Sequence, residues 1–297
     1  MNASFDLALD AARAAAGLQH YPPSALYVVA TPIGNLADIS LRALHALQLV
    51  DAIACEDTRH TQTMLRQYGI TGKPLLPVHE HNEAEAAVLV IERLQRGERI
   101  AYVSDAGTPA VSDPGARLVA AVRAAGLALM PLPGASSVTT ALSVAGITGD
   151  AGFVFAGFLP SKSAEREQAI TALLTEKRAV VILEAPHRIE ALAKAMAPLG
   201  ERCVTVGREL TKQFEEIATV PSHGFAAWLD AGPQRTRGEF ALVLHAAVDA
   251  EAADDSARVL ALLLAELPLK SAVKLAAEIT GAPRNELYDA ALKLKNG

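Results

Sequence analysis

The run Ile100-Ala-Tyr-Val-Ser-Asp-Ala-Gly-Thr-Pro-Ala-Val-Ser-Asp-Pro-Gly115 constrains this chain more than any other stretch. Arg99 to Val103 is apolar and β-rich and follows the turn residue Gly97, which predicts a short buried strand. Ser104 to Pro109 is a polar loop in which Gly107 frees the backbone and Pro109 restricts it. Ser112-Asp113-Pro114 predicts a helix start, with Asp113 as the N-cap and Pro114 at the first helical position. A strand feeding a small-residue loop and then a helix can hold a small ligand at the carboxyl edge of a parallel sheet. The alternative is a tight connection without a ligand, but such connections need about 2–6 residues and this one spends roughly ten.

The same pattern recurs along the first half. Strand Leu26 to Ala30 leads to the loop Thr31-Pro-Ile-Gly-Asn-Leu-Ala-Asp38, which has neither three glycines at dinucleotide-binding spacing nor the Gly-Lys-Ser/Thr of a phosphate loop. A helix is predicted over Ser40 to Leu49, with Leu41, Leu44, Leu47 and Leu49 as its apolar stripe. Strand Ala52 to Cys55 ends in Glu56-Asp57-Thr58-Arg59, which reads either as substrate contacts or as a plain helix cap. Strand Pro74 to Val78 ends in His79-Glu-His-Asn-Glu83. Two imidazoles, His79 and His81, without a spaced third ligand make a weak metal signal, so a helix capped by Asn82 or a substrate-facing loop is expected, and no metal. Helix Glu83 to Gln95, helix Pro114 to Ala125 and strand Leu127 to Leu132 complete the pattern. The turn Pro133-Gly-Ala-Ser-Ser137 then either caps the next helix or donates hydroxyls and amides to a carboxylate or ribose.

Gly146 to Gly152 marks a domain boundary. The expected division is a variable N-terminal arm over 1–24, an α/β domain over 25–145, a second α/β domain over 146–248 and a helical tail over 249–297. In the second domain, strands Phe153 to Gly157, Ala179 to Leu183 and Cys203 to Gly207 alternate with helices Ala164 to Thr175 and Ile189 to Leu199. Two of these strands end in Glu184-Ala-Pro-His-Arg188 and Arg208-Glu-Leu-Thr-Lys212. The apolar runs Glu216 to Val220 and Phe240 to Ala246 lie close in sequence and suggest an antiparallel edge in a mixed sheet. In the tail, a helix from Leu267 to Thr280 and another from Pro283 to Leu294 resemble a helix-turn-helix unit. Lys270, Lys274, Arg284, Lys293 and Lys295 would give it a basic face, unless it is a packing or dimer-supporting appendage.

Over 297 residues, an apolar fraction of 51% with 4% aromatics points to a core of Ala, Leu and Val. A net charge of −6 supplies no general attraction to nucleic acid or to an anionic membrane, so a polyanion site needs a local basic patch. Cys55 and Cys203 are expected as free thiols in a reducing compartment. No apolar run reaches ~18 residues, and the acidic start of the N-terminal segment does not resemble a secretory signal. A cytoplasmic protein is expected.

Taken together, Thr31-Pro-Ile-Gly-Asn35, Glu56-Asp-Thr-Arg59, Ser104-Asp-Ala-Gly-Thr-Pro109, Ser112-Asp-Pro-Gly115, Pro133-Gly-Ala-Ser-Ser137, Glu184-Ala-Pro-His-Arg188 and Arg208-Glu-Leu-Thr-Lys212 form a specific set. In this order they resemble the tetrapyrrole-methylase superfamily of S-adenosylmethionine-dependent methyltransferases, over residues 25 to 294. The match is closest to the branch that methylates the ribose 2′-oxygen of a decoding-region cytidine in 16S rRNA. The resemblance implies an α/β, two-domain tetrapyrrole-methylase-like fold with mixed sheets flanked by helices, a small C-terminal helical unit, a homodimer, and the methyl donor held between the domains. It implies donor contacts at Pro32 in the first loop, where the superfamily carries a Gly-Pro-Gly type, and at Ser104, Asp105, Ala106 and Val111. It extends them to Gly134, Ser136 and Ser137, and to Glu184 and Ala185 on the nucleoside side.

Methyl transfer from a sulfonium is an in-line displacement, so the protein chiefly aligns donor carbon and attacking oxygen. A ribose hydroxyl also needs a base, or a cation beside the developing alkoxide. Arg59, Arg188, Arg208 and Lys212 are expected to steer phosphates and hold the alkoxide. Glu184 or Glu209 is expected to take the proton, with His187 as a secondary candidate. Asn35, Glu56, Asp57, Lys270, Lys274 and Arg284 are the remaining candidate substrate contacts. Any of the charged groups could instead serve an interdomain ion pair. The expected partner is 16S rRNA in the assembled small ribosomal subunit, since a cytidine must be splayed out to reach such a cleft. A tetrapyrrole methyltransferase and a non-catalytic RNA-binding assembly factor are the competing readings.

Overall fold

The computed structural model describes residues 5–79, 82–247 and 250–296. Helix α1 (Asp6–Ala16) precedes β1 (Ala25–Val29), α2 (Leu41–Leu49), β2 (Ala52–Cys55), α3 (Thr58–Gln67), β3 (Leu75–Pro77) and α4 (Glu83–Gln95). Then come β4 (Ile100–Val103), α5 (Ala116–Ala124), β5 (Ala128–Leu132) and α6 (Ser137–Val144). The five strands form an all-parallel sheet in the order β3-β2-β4-β1-β5. Side chains alternate faces along a strand. Ala25, Tyr27 and Val29 of β1 therefore enter a core with Leu44, Leu47 and Tyr68, while Leu26 joins Leu94, Ile100 and Leu118 on the other side. Burial on both faces explains why these strands are continuously apolar. The N-terminal segment contributes to the first of these cores: Ala12 is buried there and the Phe5 ring meets Tyr68 edge-on.

The second half contains β6 (Phe153–Phe158), α7 (Ser163–Leu173), β7 (Ala179–Glu184), α8 (Ile189–Met196), β8 (Cys203–Arg208), β9 (Glu216–Pro221), α9 (Phe225–Asp230) and β10 (Phe240–Leu244). Its sheet has the order β6-β7-β10-β8-β9. Of the neighbouring pairs only β6–β7 is parallel; β10 is inserted antiparallel between β7 and β8, and β9 is the antiparallel edge. The last two apolar runs therefore do not form an edge pair, because β10 fills the centre of the sheet. One face of this sheet packs on α8 and α9. Val181, Ala241 and Val243 on the other face meet Val138 and Ala141 of α6, a helix that precedes Gly146 in sequence.

Helix α5 corrects one expectation. It begins at Ala116, after a left-handed Gly115 (φ +118°), and Asp113 does not cap it. The buried carboxylate of Glu83, from α4, does so instead. Its Oε1 accepts from the amides of Gly115 (3.0 Å), Arg117 (2.7 Å) and Leu118 (3.0 Å). Three donors at a helix N-terminus, together with the dipole, outweigh the cost of burying the charge.

Residues from Ala246 onward form a second compact unit. It contains α10 (Ala250–Glu266), α11 (Leu269–Thr280) and α12 (Arg284–Asn296). Leu260, Val273, Ala276, Leu287 and Ala291 make its core. Helix α10 lies in the expected helical tail, ahead of the two helices read there; the joint between α11 and α12 turns at a left-handed Gly281, whose Cβ-free backbone suits that position. No helix among the described residues is long and apolar enough to cross a membrane.

Candidate active site

Strand order in the first sheet places β4 between β1 and β2, so the loops that leave these strands converge at its carboxyl edge. They are tied together. Thr31 and Gly107 exchange backbone hydrogen bonds (2.9 and 3.0 Å). The Thr108 hydroxyl donates to Ala135 O (3.1 Å), and Asp105 Oδ1 accepts from the Asp57 amide (3.2 Å). A Cβ on Gly134 would lie 3.0 Å from Ala30 Cβ, so a glycine lets the Pro133–Ser137 turn approach β1. The second sheet supplies the facing wall. Phe240 is in register with both Glu184 and Arg208, which aligns the ends of three strands.

Between them lies a cavity of about 290 Å³. Ala106, Val111, Asp113, Ser136 and Ser137 line it from the first half, and Phe158, Glu184, Ala185, Glu239 and Phe240 from the second. Ser136 occupies the N-cap position of α6 yet makes no cap bond through its side chain, so its hydroxyl is not spent on the helix. Asp113 is pushed above the usual carboxylate range by burial and by Asp105, against the opposing effect of the Ser104 hydroxyl. Glu56 is raised by burial and by Asp105, Asp113 and Asp57. Glu184 is buried (2% exposed). Its Oε1 accepts from the Ala185 amide (2.9 Å) and pairs with Arg188 Nε (2.9 Å), while its Oε2 has no hydrogen-bond partner.

Of the donor contacts implied by the sequence, Ala106, Val111, Ser136, Ser137, Glu184 and Ala185 line the cavity. Pro32, Ser104, Asp105 and Gly134 do not line it. The Ser104 hydroxyl is buried against Ala106 O (3.3 Å) and shapes the loop.

The expected cations separate. Arg208 is buried, donating to Arg237 O (2.9 Å) and Phe214 O (3.1 Å) and pairing with Glu216 (3.7 Å), so its charge holds loops and does not reach the cavity. Arg188 donates to Leu159 O and pairs with Glu184. Lys212 Nζ bridges Glu209 Oε1 (2.8 Å) and Glu239 Oε2 (2.7 Å). Glu209 Oε1 also accepts from the Glu239 amide (2.9 Å). Burial raises the Glu209 carboxyl, but these bonds and Lys212 outweigh it and hold the group below its ordinary value, a poor state for taking up a proton. Arg59 projects into solvent, its side chain 91% exposed beside Asp57 (3.4 Å). Asp57 caps α3 through the Arg59 amide (2.8 Å), and Asn35 caps a short turn through Ala37 (3.1 Å). His187 is exposed. Lys270, Lys274 and Arg284 are exposed on the helical tail, with Arg284 near Glu278 (3.5 Å). His81 and the side chains of Lys293 and Lys295 lie outside the described residues. Among the described residues no group of three His, Cys, Asp or Glu is arranged to hold a metal.

Glu239, Phe240 and Phe158 were missed by the sequence reading, which followed the residues after each strand. Glu239 lies before β10, and an antiparallel strand brings its amino end to the edge where its neighbours end.

Residues 25–223 match the family of Tetrapyrrole (Corrin/Porphyrin) Methylases, and 249–295 match the RsmI C-terminal HTH domain. The chain is 47% identical over 272 residues to ribosomal RNA small subunit methyltransferase I of Escherichia coli O157:H7, covering 90% of this chain and 94% of that one. It is 48% identical over 275 residues to the protein of the same name from Neisseria meningitidis serogroup B, covering 91% and 94%. Among solved structures, a cobalt precorrin-4 methyltransferase aligns with a TM-score of 0.56 at 17% identity, over 74% of this chain and 94% of that one. The Thermus thermophilus uroporphyrin-III C-methyltransferase complexed with S-adenosylhomocysteine aligns at 0.51 and 15%, over 73% and 96%. With an all-parallel sheet, a mixed sheet and these relatives in hand, the chain belongs to the tetrapyrrole methylase family and, within it, to the ribosomal RNA small subunit methyltransferase I group.

Proposed function

We propose that this protein uses S-adenosylmethionine to methylate the ribose 2′-oxygen of a cytidine in the decoding region of 16S rRNA. The substrate is the assembled small subunit, and the enzyme works as a cytoplasmic homodimer of chains divided near residues 24, 145 and 248. The relatives' name, ribosomal RNA small subunit methyltransferase I, supports the substrate class; the resemblance to that branch supports the ribose oxygen, and the superfamily resemblance supports the dimer.

The donor fits the residues present. The cavity offers uncommitted hydroxyls at Ser136 and Ser137, carboxylates at Asp113 and Glu184 for cationic and hydroxyl groups, and apolar walls at Val111 and Phe240. When bound, the donor supplies a methyl carbon activated by a sulfonium. The chain's own residues do the rest. The walls from the two sheets exclude water and fix the direction of approach, which supplies most of what an in-line displacement needs. Glu184 Oε2 accepts the hydrogen bond of the ribose hydroxyl and takes its proton as the oxygen attacks, and Arg188 keeps the carboxylate in place. The observation that carries this reading is that Glu184, a residue lining the cavity, has a buried Oε2 without a hydrogen-bond partner, because a buried acceptor without a donor calls for one from a ligand.

The test is methyl transfer from labelled S-adenosylmethionine to small subunits that lack the mark, followed by mass mapping of nucleosides. A 2′-O-methylcytidine in 16S rRNA is expected. Donor binding without transfer to subunits would favour a small-molecule acceptor, and absence of donor binding would favour a non-catalytic assembly factor.

A further inference from the structure

Among the described residues three carboxylates line the cavity, and the reaction described above draws on two of them, Asp113 and Glu184. The third, Glu239, has no part in it. It differs from Glu184 in depth. The Glu184 side chain is fully buried, whereas that of Glu239 is 76% exposed. Glu239 therefore stands at the rim, where a macromolecular substrate meets the cavity.

Glu239 is braced. Its Oε2 accepts from Lys212 Nζ (2.7 Å), and the same ammonium is bound to Glu209 Oε1 (2.8 Å). The Glu239 amide donates to that Glu209 oxygen (2.9 Å), and its carbonyl accepts from the Glu209 amide (2.9 Å). Just before it, Gly238 is left-handed (φ +87°), and a Cβ there would strike the Glu209 carboxyl. The stem of Lys212 is in turn pressed on Gly34 of the first loop. These bonds fix the backbone and one oxygen of Glu239 and leave its Oε1 without a partner among the described residues. A carboxylate paired with an ammonium offers acceptors only, and a braced one offers them in a fixed direction.

Phe158 is the other feature of the cavity without a role. It ends β6, lines the cavity and is 55% exposed. Strand register sets it and Glu239 on either side of Glu184. Phe158 is opposite Leu183, the residue before Glu184 in β7, and Phe240, the residue after Glu239, is opposite Glu184 itself. An aromatic ring, the proton-accepting carboxylate and a second acceptor thus stand on three neighbouring strand ends. A base splayed out of RNA is held by a ring against its face and polar groups on its edge. Cytosine presents an N4 amino donor on that edge, which suits a carboxylate; uracil presents the O4 acceptor there, which a carboxylate repels.

We propose that Glu239 selects cytidine by accepting a hydrogen bond from the N4 amino group of the target base at Oε1, with the base laid on Phe158. The inference rests on the RNA-methyltransferase reading and adds to it the reason for the choice of base.

The experiment uses the full-length protein and small subunits assembled on 16S rRNA with cytidine or uridine at the methylated position, and measures kcat/KM for each. Wild type should favour cytidine by about tenfold or more, the scale of a base-edge contact. Glu239→Gln still offers Lys212 an oxygen and adds a donor for uracil O4. It should lose about tenfold on cytidine and gain on uridine, bringing the ratio close to one. Phe158→Ala should lower both substrates by a similar factor, about tenfold, because stacking is indifferent to the base, and Phe158→Tyr should restore them. Donor affinity by calorimetry should match wild type in all three variants. The cytidine-to-uridine ratio is read within one sample, so a partial loss of folded protein does not alter it. A wild type without preference, a Glu239→Gln ratio equal to that of wild type, or weaker donor binding by that variant would overturn base reading by Glu239. Weaker donor binding by Phe158→Ala would overturn the base platform. Wild-type protein that methylates neither subunit would instead overturn the reading beneath the proposal.

Discussion

At the scale of single residues, the carboxylates of the site are sorted by what they already hold. Glu209 is locked by Lys212 and an amide, whereas Glu184, which lines the cavity, keeps one buried oxygen without a partner. Glu184→Gln should therefore bind S-adenosylmethionine while losing transfer by a factor of about 10² or more, the usual contribution of a positioned base. Single-turnover assays with calorimetry on the same sample check this, and transfer within a few-fold of wild type would assign the proton elsewhere. Glu56 has the opposite problem. Burial and three carboxylates raise its pKa, so its folded form favours the proton; the stability this gives is present below the ordinary value of 4.5 and is lost as pH rises through the folded value. Glu56→Gln should raise the melting temperature at pH 7 and leave it unchanged near pH 4. Cys55 is fully buried and its thiol is pushed up to about 11, chiefly by burial. It should resist iodoacetamide in the native protein at pH 7.5, where little thiolate exists.

At the scale of elements, the rim of the cavity is set by a contact between two helices. Glu83 of α4 caps α5, and the Tyr102 hydroxyl of β4 donates to Pro114 O (2.6 Å), so the segment carrying Val111 and Asp113 is pinned at its end. Gly115 must remain a glycine, because a Cβ there would enter the Tyr102 ring at a backbone angle of φ +118°. Glu83→Ala leaves three amides short of an acceptor and should cost about 3 kcal/mol in urea unfolding. Glu83→Gln, which still offers an oxygen, should cost less and retain donor binding. Equal losses for both variants would show that charge, and not the acceptor, holds the helix. The expected cap at Asp113 failed because capping propensity is local, whereas the oxygen that reached these amides comes from another helix.

For the molecule as a whole, the cavity is built entirely from residues before Ala246, and the tail has its own core. A chain ending at His245 should therefore fold cooperatively and bind S-adenosylmethionine with wild-type affinity in calorimetry. A chain that unfolds or loses the donor would show that the tail supports the site. The net charge of −6 supplies no general attraction to RNA, so binding to subunits should weaken with salt by only a few phosphate contacts.

The sequence alone determined the alternation of strands and helices, the two α/β halves, and the small-residue loops whose residues line the cavity. All of these follow from short-range pattern: apolar runs, glycine and proline punctuation, and motifs in a fixed order. It did not determine which charged side chains face that cavity. Arg208 turned inward to hold a loop, Glu83 reached across to a second helix, and Glu239 arrived at the site because β10 runs against its neighbours. Each outcome depends on which backbone groups lie within hydrogen-bond reach once distant segments have packed, and that is a property of the folded chain.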